Sequence, residues 1–285
     1  MVLSGRPVTM TGGHLWFFGQ EADGVDGVKK AVRQLVKEGA DWIKVPATGG
    51  STRSSNPLLL SYSVEELKAI VEEAHKLGKL TGTHCVSTQG VINSLDAGVD
   101  MILHCIFREA DGSYHFRPDV AERIAQQGVW VNPTLGAGSV RMRKLQEKAA
   151  QGSITAGERA VLEELKRSHE VRLECFQRMV AMGIRMACGS DFSAGVQPIP
   201  GFPYEVAAQV EGGYSNIQAV LSATRDAAEA IDVGRPTGTL EPGKDADLLV
   251  VEGTPAEDIS ALWKVRDVFL AGQQVERAML PTPYS

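Results

Sequence analysis

The chain has 285 residues, with 29 Lys and Arg against 35 Asp and Glu, for a net charge of −6. A chain this long buries roughly three quarters of its unfolded surface, enough for one large domain or a large and a small one. With no basic block and no apolar run of about 18 residues, neither nucleic acid nor a membrane is an expected partner. The opening Met1-Val2-Leu3-Ser4-Gly5-Arg6-Pro7 has no charged stretch leading into an apolar one, so no signal peptide is read there. Cysteines 85, 105, 175 and 188 form no CxxC pair and read as small buried residues of a reducing cytoplasm.

Helical periodicity predicts a helix over 25–38, with Val25, Val28, Val32, Leu35 and Val36 on one face and Gly39 closing it. Trp42-Ile43-Lys44-Val45 follows as a strand, and 46–62 as a long loop rich in Gly and Ser. Ser63-Val64-Glu65-Glu66 is a capping-box opening to a helix that runs to Leu77 and stops at Gly78. The cycle repeats as strand 80–85, helix 88–97, Gly98 and strand 100–105. It repeats again, after a loop over 106–118, as helix 118–127, Gly128 and strand 129–135. A loop over 134–155, a long helix over 155–182 and strand 184–188 lead into Gly189-Ser190-Asp191, with a further helix over 215–230.

Helices of 10–15 residues that end in Gly and feed short apolar strands argue for βα units and a parallel sheet. Residues 234–243 are turn-dense, and 246–251 and 268–275 read as strands, the last closing through an Ala-Gly-Gln turn. The expected organisation is a βα portion over 1–234 and a separate β-rich piece over 235–285.

Four apolar runs end in a polar residue that can act on a metal or a proton: Lys44, His84, His104 and Asp191. Buried strands disfavour such side chains, whereas functional groups of a parallel barrel sit where strands end and βα loops begin. Taken singly, each has a plain structural reading: an edge lysine reaching solvent, a structural histidine, an aspartate forming a turn or a helix cap. Taken together, two imidazoles, a carboxylate and a lysine can hold a divalent metal such as zinc. An ammonium cannot ligate, so Lys44 has to be neutral or carboxylated by carbon dioxide. Water activated by such a metal ionises near neutrality and attacks a carbonyl, with Asp191 also carrying the proton to the leaving group. His14, after Thr11-Gly12-Gly13, and His115, in a loop before Arg117-Pro118, are candidate substrate contacts. His75 and His169 read as solvated helix faces. No GxSxG elbow, GxGxxG or P-loop occurs.

Gly39-Ala40-Asp41-Trp42-Ile43-Lys44, Thr83-His84, Gly98-Val99-Asp100-Met101-Ile102-Leu103-His104 and Gly189-Ser190-Asp191 together resemble the amidohydrolase superfamily. Residues 238–248 are similar to the family's return into a small β-sandwich. Ser4-Gly5-Arg6-Pro7 with Thr11-Gly12-Gly13-His14 is most similar to the branch of imidazolonepropionase and the Xaa-Pro dipeptidases.

The resemblance implies an α/β fold, a (β/α)8 TIM-like barrel, with Lys44 the carboxylated fourth-strand ligand. His84 and His104 become the fifth- and sixth-strand ligands, and Asp191 the eighth-strand acid/base. The family's first-strand His-x-His is not among histidines 14, 75, 84, 104, 115 and 169. The expectation is therefore an incomplete barrel, strands 3 to 8 with a remnant of the sandwich, holding one zinc-like metal. Its open sheet edges would be covered by a second copy in a homo-oligomer.

The function expected is metal-dependent hydrolysis of an amide, peptide or ester bond in a small molecule. Two alternatives stand beside it. One is an esterase-type hydrolase working without metal on Asp191, His84 or His104; the other is an inactive scaffold.

Overall fold

Each turn of a βα unit in this chain is closed by local chemistry. The computed structural model describes residues 1–191 and 201–276. Helix α1 (Gly24–Lys37) buries Val28, Ala31, Val32 and Leu35. Helix α2 (Val64–Lys76) opens with both bonds of the capping box formed between Ser63 and Glu66. Helices α3 (Thr88–Ala97) and α4 (Pro118–Gln127) stop at Gly98 and Gly128, which take the left-handed conformation that ends a helix. The expected residue at each stop is thus the observed one.

Between these helices run β3 (Trp42–Pro46), β4 (Leu80–Cys85), β5 (Met101–His104) and β6 (Trp130–Asn132). They form one parallel sheet in the order β3-β4-β5-β6. The helices follow the same order, α1 packing on α2, α2 on α3 and α3 on α4. Asp100 fixes the register at the N-terminal edge, where its carboxylate accepts from the Thr81 amide at 2.7 Å and the Thr81 hydroxyl at 2.9 Å. Two short strands, β1 (Val8–Thr9) and β2 (Gln20–Glu21), pair in parallel before α1.

The chain divides into two compact units: Met1–Asn132 with Met179–Arg185, and Pro133–Arg178 with Met186–Ser285. The expected strand over 184–188 is not a ladder; residues 184 and 185 belong to the first unit and 186–188 to the second. The Val131 amide donates to Arg185 O at 2.9 Å, and the Arg185 guanidinium stacks 4.2 Å over Trp130.

The second unit contains α5 (Ser139–Ala150) and most of α6 (Ala156–Ala181), then α7 (Phe202–Glu211), α8 (Asn216–Ser222) and α9 (Arg225–Ala230). Two expectations are corrected here. Residues 134–155 are mostly helix, and the helix over 215–230 is two, separated at Thr224, whose φ of −125° and ψ of −87° are not helical. Cys188, Val206 and Ala219 form a buried cluster with Tyr214, Ile259 and Leu262 packed on it. Strands β7 (Leu248–Val251), β8 (Val265–Leu270) and β9 (Gln273–Gln274) make an antiparallel sheet, with the expected Ala-Gly turn between the last two.

Candidate active site

Sheet register decides which strand-end side chains share a face. Lys44 lies opposite Gly82, and Pro46 opposite His84. Because side chains alternate every second residue, Lys44 and His84 point to the same side of the sheet. Ile43 and Val45, both buried, point to the other.

His104 breaks that rule. Its register partner is Cys85, whose Sγ lies 3.2 Å from Ser94 Oγ of α3, so a regular strand would send the imidazole to the helix side. The backbone instead turns left-handed at His104 (φ 70°) and Cys105 (φ 48°). The His104 ring consequently sits edge-on to His84, with centroids 4.5 Å apart. His14 also packs against His84, with centroids at 4.6 Å and the planes tilted by 43°. Three imidazoles from three separate stretches of chain are therefore clustered, with His84 touching both of the others.

The Gly-rich loop after β3 folds over two of them. Gly49 O accepts from His84 Nε2 at 3.0 Å, which places the proton on that nitrogen and leaves Nδ1 with the lone pair. Thr52 Oγ1 is 2.8 Å from His14 Nδ1 and accepts from the Leu15 amide at 3.0 Å. A Cβ on Gly50 would come 2.5 Å from His14 Nε2, so the loop can lie on that ring only with glycine there. A cavity of about 120 Å³ opens beside His14, lined by Met10, Gly12, Gly49, Ser55, Asn56 and Leu59.

Burial and charge keep His14 and His84 neutral. Desolvation first, and the Lys44 charge second, pull His14 down to about 4 and His84 down to about 3. Lys44 is thus electrostatically coupled to both. A neutral imidazole is the form that ligates a metal or takes up a proton. Burial pushes the Cys85 thiol up, leaving it a poor nucleophile.

The remaining predicted residues are placed differently. Asp191 belongs to the second unit and is exposed, with left-handed backbone at φ 51°. His115 is exposed in the loop whose Arg108 and Tyr114 form an antiparallel bridge. Sequence reasoning passes over Thr52, Gly49 and Gly50 as individual contacts. Their signal is the Gly-Gly-Ser-Thr run itself, which carries no charge to single out any one of them.

As a donor set, His84 and His104 supply two imidazoles and Lys44 an ammonium. Among the described residues no group of three or more His, Cys, Asp or Glu is arranged to hold a metal ion. The strand-end set therefore fits a divalent ion only with Lys44 converted to its carbamate, which adds one anionic donor to the two imidazoles.

Parallel βα units with imidazoles and a lysine gathered at strand ends define an α/β protein of the strand-end-site class. The amidohydrolase family model matches residues 1–275, and the chain belongs to that family. It is 29% identical over 252 residues to the ochratoxinase of Aspergillus niger, covering 87% of this chain and 48% of that protein. The chain thus spans about half the length of the curated relatives it matches.

A Xaa-Pro dipeptidase crystallised with methionine in its active site superposes with a TM-score of 0.80 at 28% identity, covering 96% of this chain and 68% of that one. A prolidase complexed with N-methylphosphonate-L-proline gives a TM-score of 0.78 at 25% identity, with the same coverage of 96% and 68%. The α/β fold with its parallel sheet agrees with these barrel neighbours.

Proposed function

We propose that this chain hydrolyses an amide or peptide bond in a small substrate, with one divalent ion held by carboxylated Lys44, His84 and His104. The observation that carries the reading is the gathering of Lys44, His84 and His104 at the ends of adjacent parallel strands, with His14 stacked on a neutral His84. Relatives named ochratoxinase, Xaa-Pro dipeptidase and prolidase support an amide substrate.

A divalent ion bound there would supply Lewis-acid polarisation of a carbonyl and a water whose pKa falls to about 7. The protein's own residues do the rest. His84 offers its unprotonated Nδ1, its tautomer held by Gly49 O. His14, neutral and braced by Thr52, hydrogen-bonds the substrate beside the cavity, and exposed His115 is the second substrate contact. Asp191 takes the proton from the attacking water and returns it to the leaving nitrogen. Lys44 joins carbon dioxide through its deprotonated Nζ, forming the carbamate and releasing one proton.

Finer readings travel with this one. Zinc is the ion proposed, 1–234 the barrel portion, and 235–285, with its antiparallel sheet, the sandwich piece. Self-association along sheet edges is proposed, and light scattering tests it. Free, buried cysteines at 85, 105, 175 and 188 support a reducing compartment such as the cytoplasm. No helix among the described residues is long and apolar enough to cross a membrane.

Metal analysis of the purified protein, with dipeptide and amide turnover before and after chelation, tests the proposal. One bound ion per chain and chelator-sensitive turnover are expected. Lys44→Ala should lose more than the roughly 10–100-fold typical of residues that only orient ligands. A second reading, hydrolysis without metal on Asp191, His84 or His104, draws on the missing third donor among the described residues. Full turnover after chelation selects it.

A further inference from the structure

The second unit contains a fully buried carboxylate that the reaction above does not use. Glu205 lies on α7 at 0% exposure, and Gln209, one helical turn on, is also at 0%. The Gly136 amide donates to Glu205 Oε2 at 2.5 Å. Gln209 Nε2 donates to Glu205 Oε1 at 3.4 Å. Gln209 Oε1 accepts from the Ser222 hydroxyl of α8, and Ser222 O accepts from the Cys188 amide at 3.0 Å. A buried chain of hydrogen bonds thus joins the loop after β6 to the segment that bears Asp191, three residues beyond Cys188.

Both ends of this chain sit beside left-handed backbone in residues other than glycine: Thr134 at φ 49° and Asp191 at φ 51°. Such conformations persist only where surrounding structure over-determines them. The Arg172 guanidinium of α6 secures the first end, donating to Thr134 O and, at 3.3 Å, to Ala137 O. Contact there is close enough that a Cβ on Gly136 would lie 3.0 Å from the Glu205 amide nitrogen. An apolar side chain would fill the same space without the desolvation cost of a carboxylate. What the carboxylate adds is direction: two oxygens, each aimed at a specified donor.

We propose that Glu205 is a positioning residue, which through Gly136 on one side and Gln209 and Ser222 on the other holds the Thr134 turn and segment 188–191 in the geometry at which Asp191 acts. Its catalytic meaning rests on the reading of Asp191 as the acid/base. The structural tether does not depend on that reading.

The test compares Glu205→Gln and Ser222→Ala with the wild-type chain by amide hydrogen exchange and by turnover of a panel of Xaa-Pro dipeptides. Glu205→Gln is expected to speed exchange about tenfold at 134–138 and at 188–191, with the other elements unchanged. Its kcat should fall about tenfold or more while KM stays within about twofold, the sign of a lost transition-state geometry. Ser222→Ala, which cuts the chain beyond Gln209, should loosen 188–191 and leave 134–138 as in the wild type.

Unchanged exchange at both segments in Glu205→Gln overturns the proposal. So does a uniform loss of protection across the unit with kcat per folded molecule unchanged, since that is what simple core filling would give. If the wild-type chain cleaves none of the dipeptides, the hydrolase reading fails on its own, and the exchange measurement still decides the tether.

Discussion

Left-handed backbone marks the ends of the segments that carry the candidate chemistry, at His104, Cys105, Thr134 and Asp191. Each such residue costs roughly 1–2 kcal/mol relative to the right-handed alternative. At His104 the effect of that strain is direct, because it turns the ring onto His84 instead of toward α3. Gly50 is the complementary case, where the absence of a side chain lets the loop rest on His14. Gly50→Ala is expected to displace that ring and lower turnover by about 100-fold, with circular dichroism unchanged. A rate equal to wild type would remove His14 from substrate contact.

The pH dependence of stability follows from three buried groups. His14 and His84 are held near 4 and 3, below the ordinary 6.5, so the unfolded chain binds protons that the folded chain refuses. Their contribution is present above about pH 6.5 and is lost as pH falls toward 4. Glu205 has the opposite sign. Burial raises it from 4.5 to about 7, so its contribution is full below pH 4.5 and is lost as pH rises through 7. Denaturant titrations between pH 5 and 8 should show Glu205→Gln removing this fall, whose slope approaches ~1.4 kcal/mol per pH unit, while the histidine slope remains.

At this scale Lys44, His84, His104 and Asp191 are legible in sequence because each ends a run that is otherwise apolar. Glu205 is not, since one acidic residue in a helix reads as a solvated face until packing shows it fully covered.

Among the elements, caps are the most legible feature. Ser63→Ala should cost about 1 kcal/mol in chemical denaturation, because it deletes the observed bond from the Glu66 amide to the Ser63 hydroxyl. The hairpin between β8 and β9 offers a gain instead. Ala271 (φ 49°) and Gly272 (φ 78°) both sit left-handed in its two-residue turn. Ala271→Gly should therefore stabilise the chain by up to about 1 kcal/mol, read as a higher denaturation midpoint.

Helix α5 escapes sequence reading because Leu145 is its one buried residue, and Arg141, Arg143, Lys144, Glu147 and Lys148 interrupt its few other apolar side chains. With no apolar stripe, no periodicity distinguishes it from loop. The division between α8 and α9 escapes for another reason. The apolar pattern continues through Thr224, and its hydroxyl bonds back to Val220 O at 2.8 Å as the backbone leaves the helix.

For the whole molecule, metal binding predicts a change that needs no substrate. A ligand that binds only the folded chain stabilises it in proportion to the logarithm of its concentration. The melting temperature should rise with zinc in the presence of bicarbonate, and Lys44→Ala should abolish the rise. A melting temperature indifferent to zinc would count against a resident ion.

The sequence by itself determined the βα rhythm, the helix stops, the strand-end residues and the family, because these depend on side-chain chemistry within a few positions along the chain. Tertiary structure decided which of those residues meet. His84 finds Gly49 O across 35 positions, and Glu205 finds the Gly136 amide across 69. His104 takes its direction from a backbone turn that no pattern of residues announces. Contacts at such separations are set by sheet register and burial, which exist only once the chain has folded.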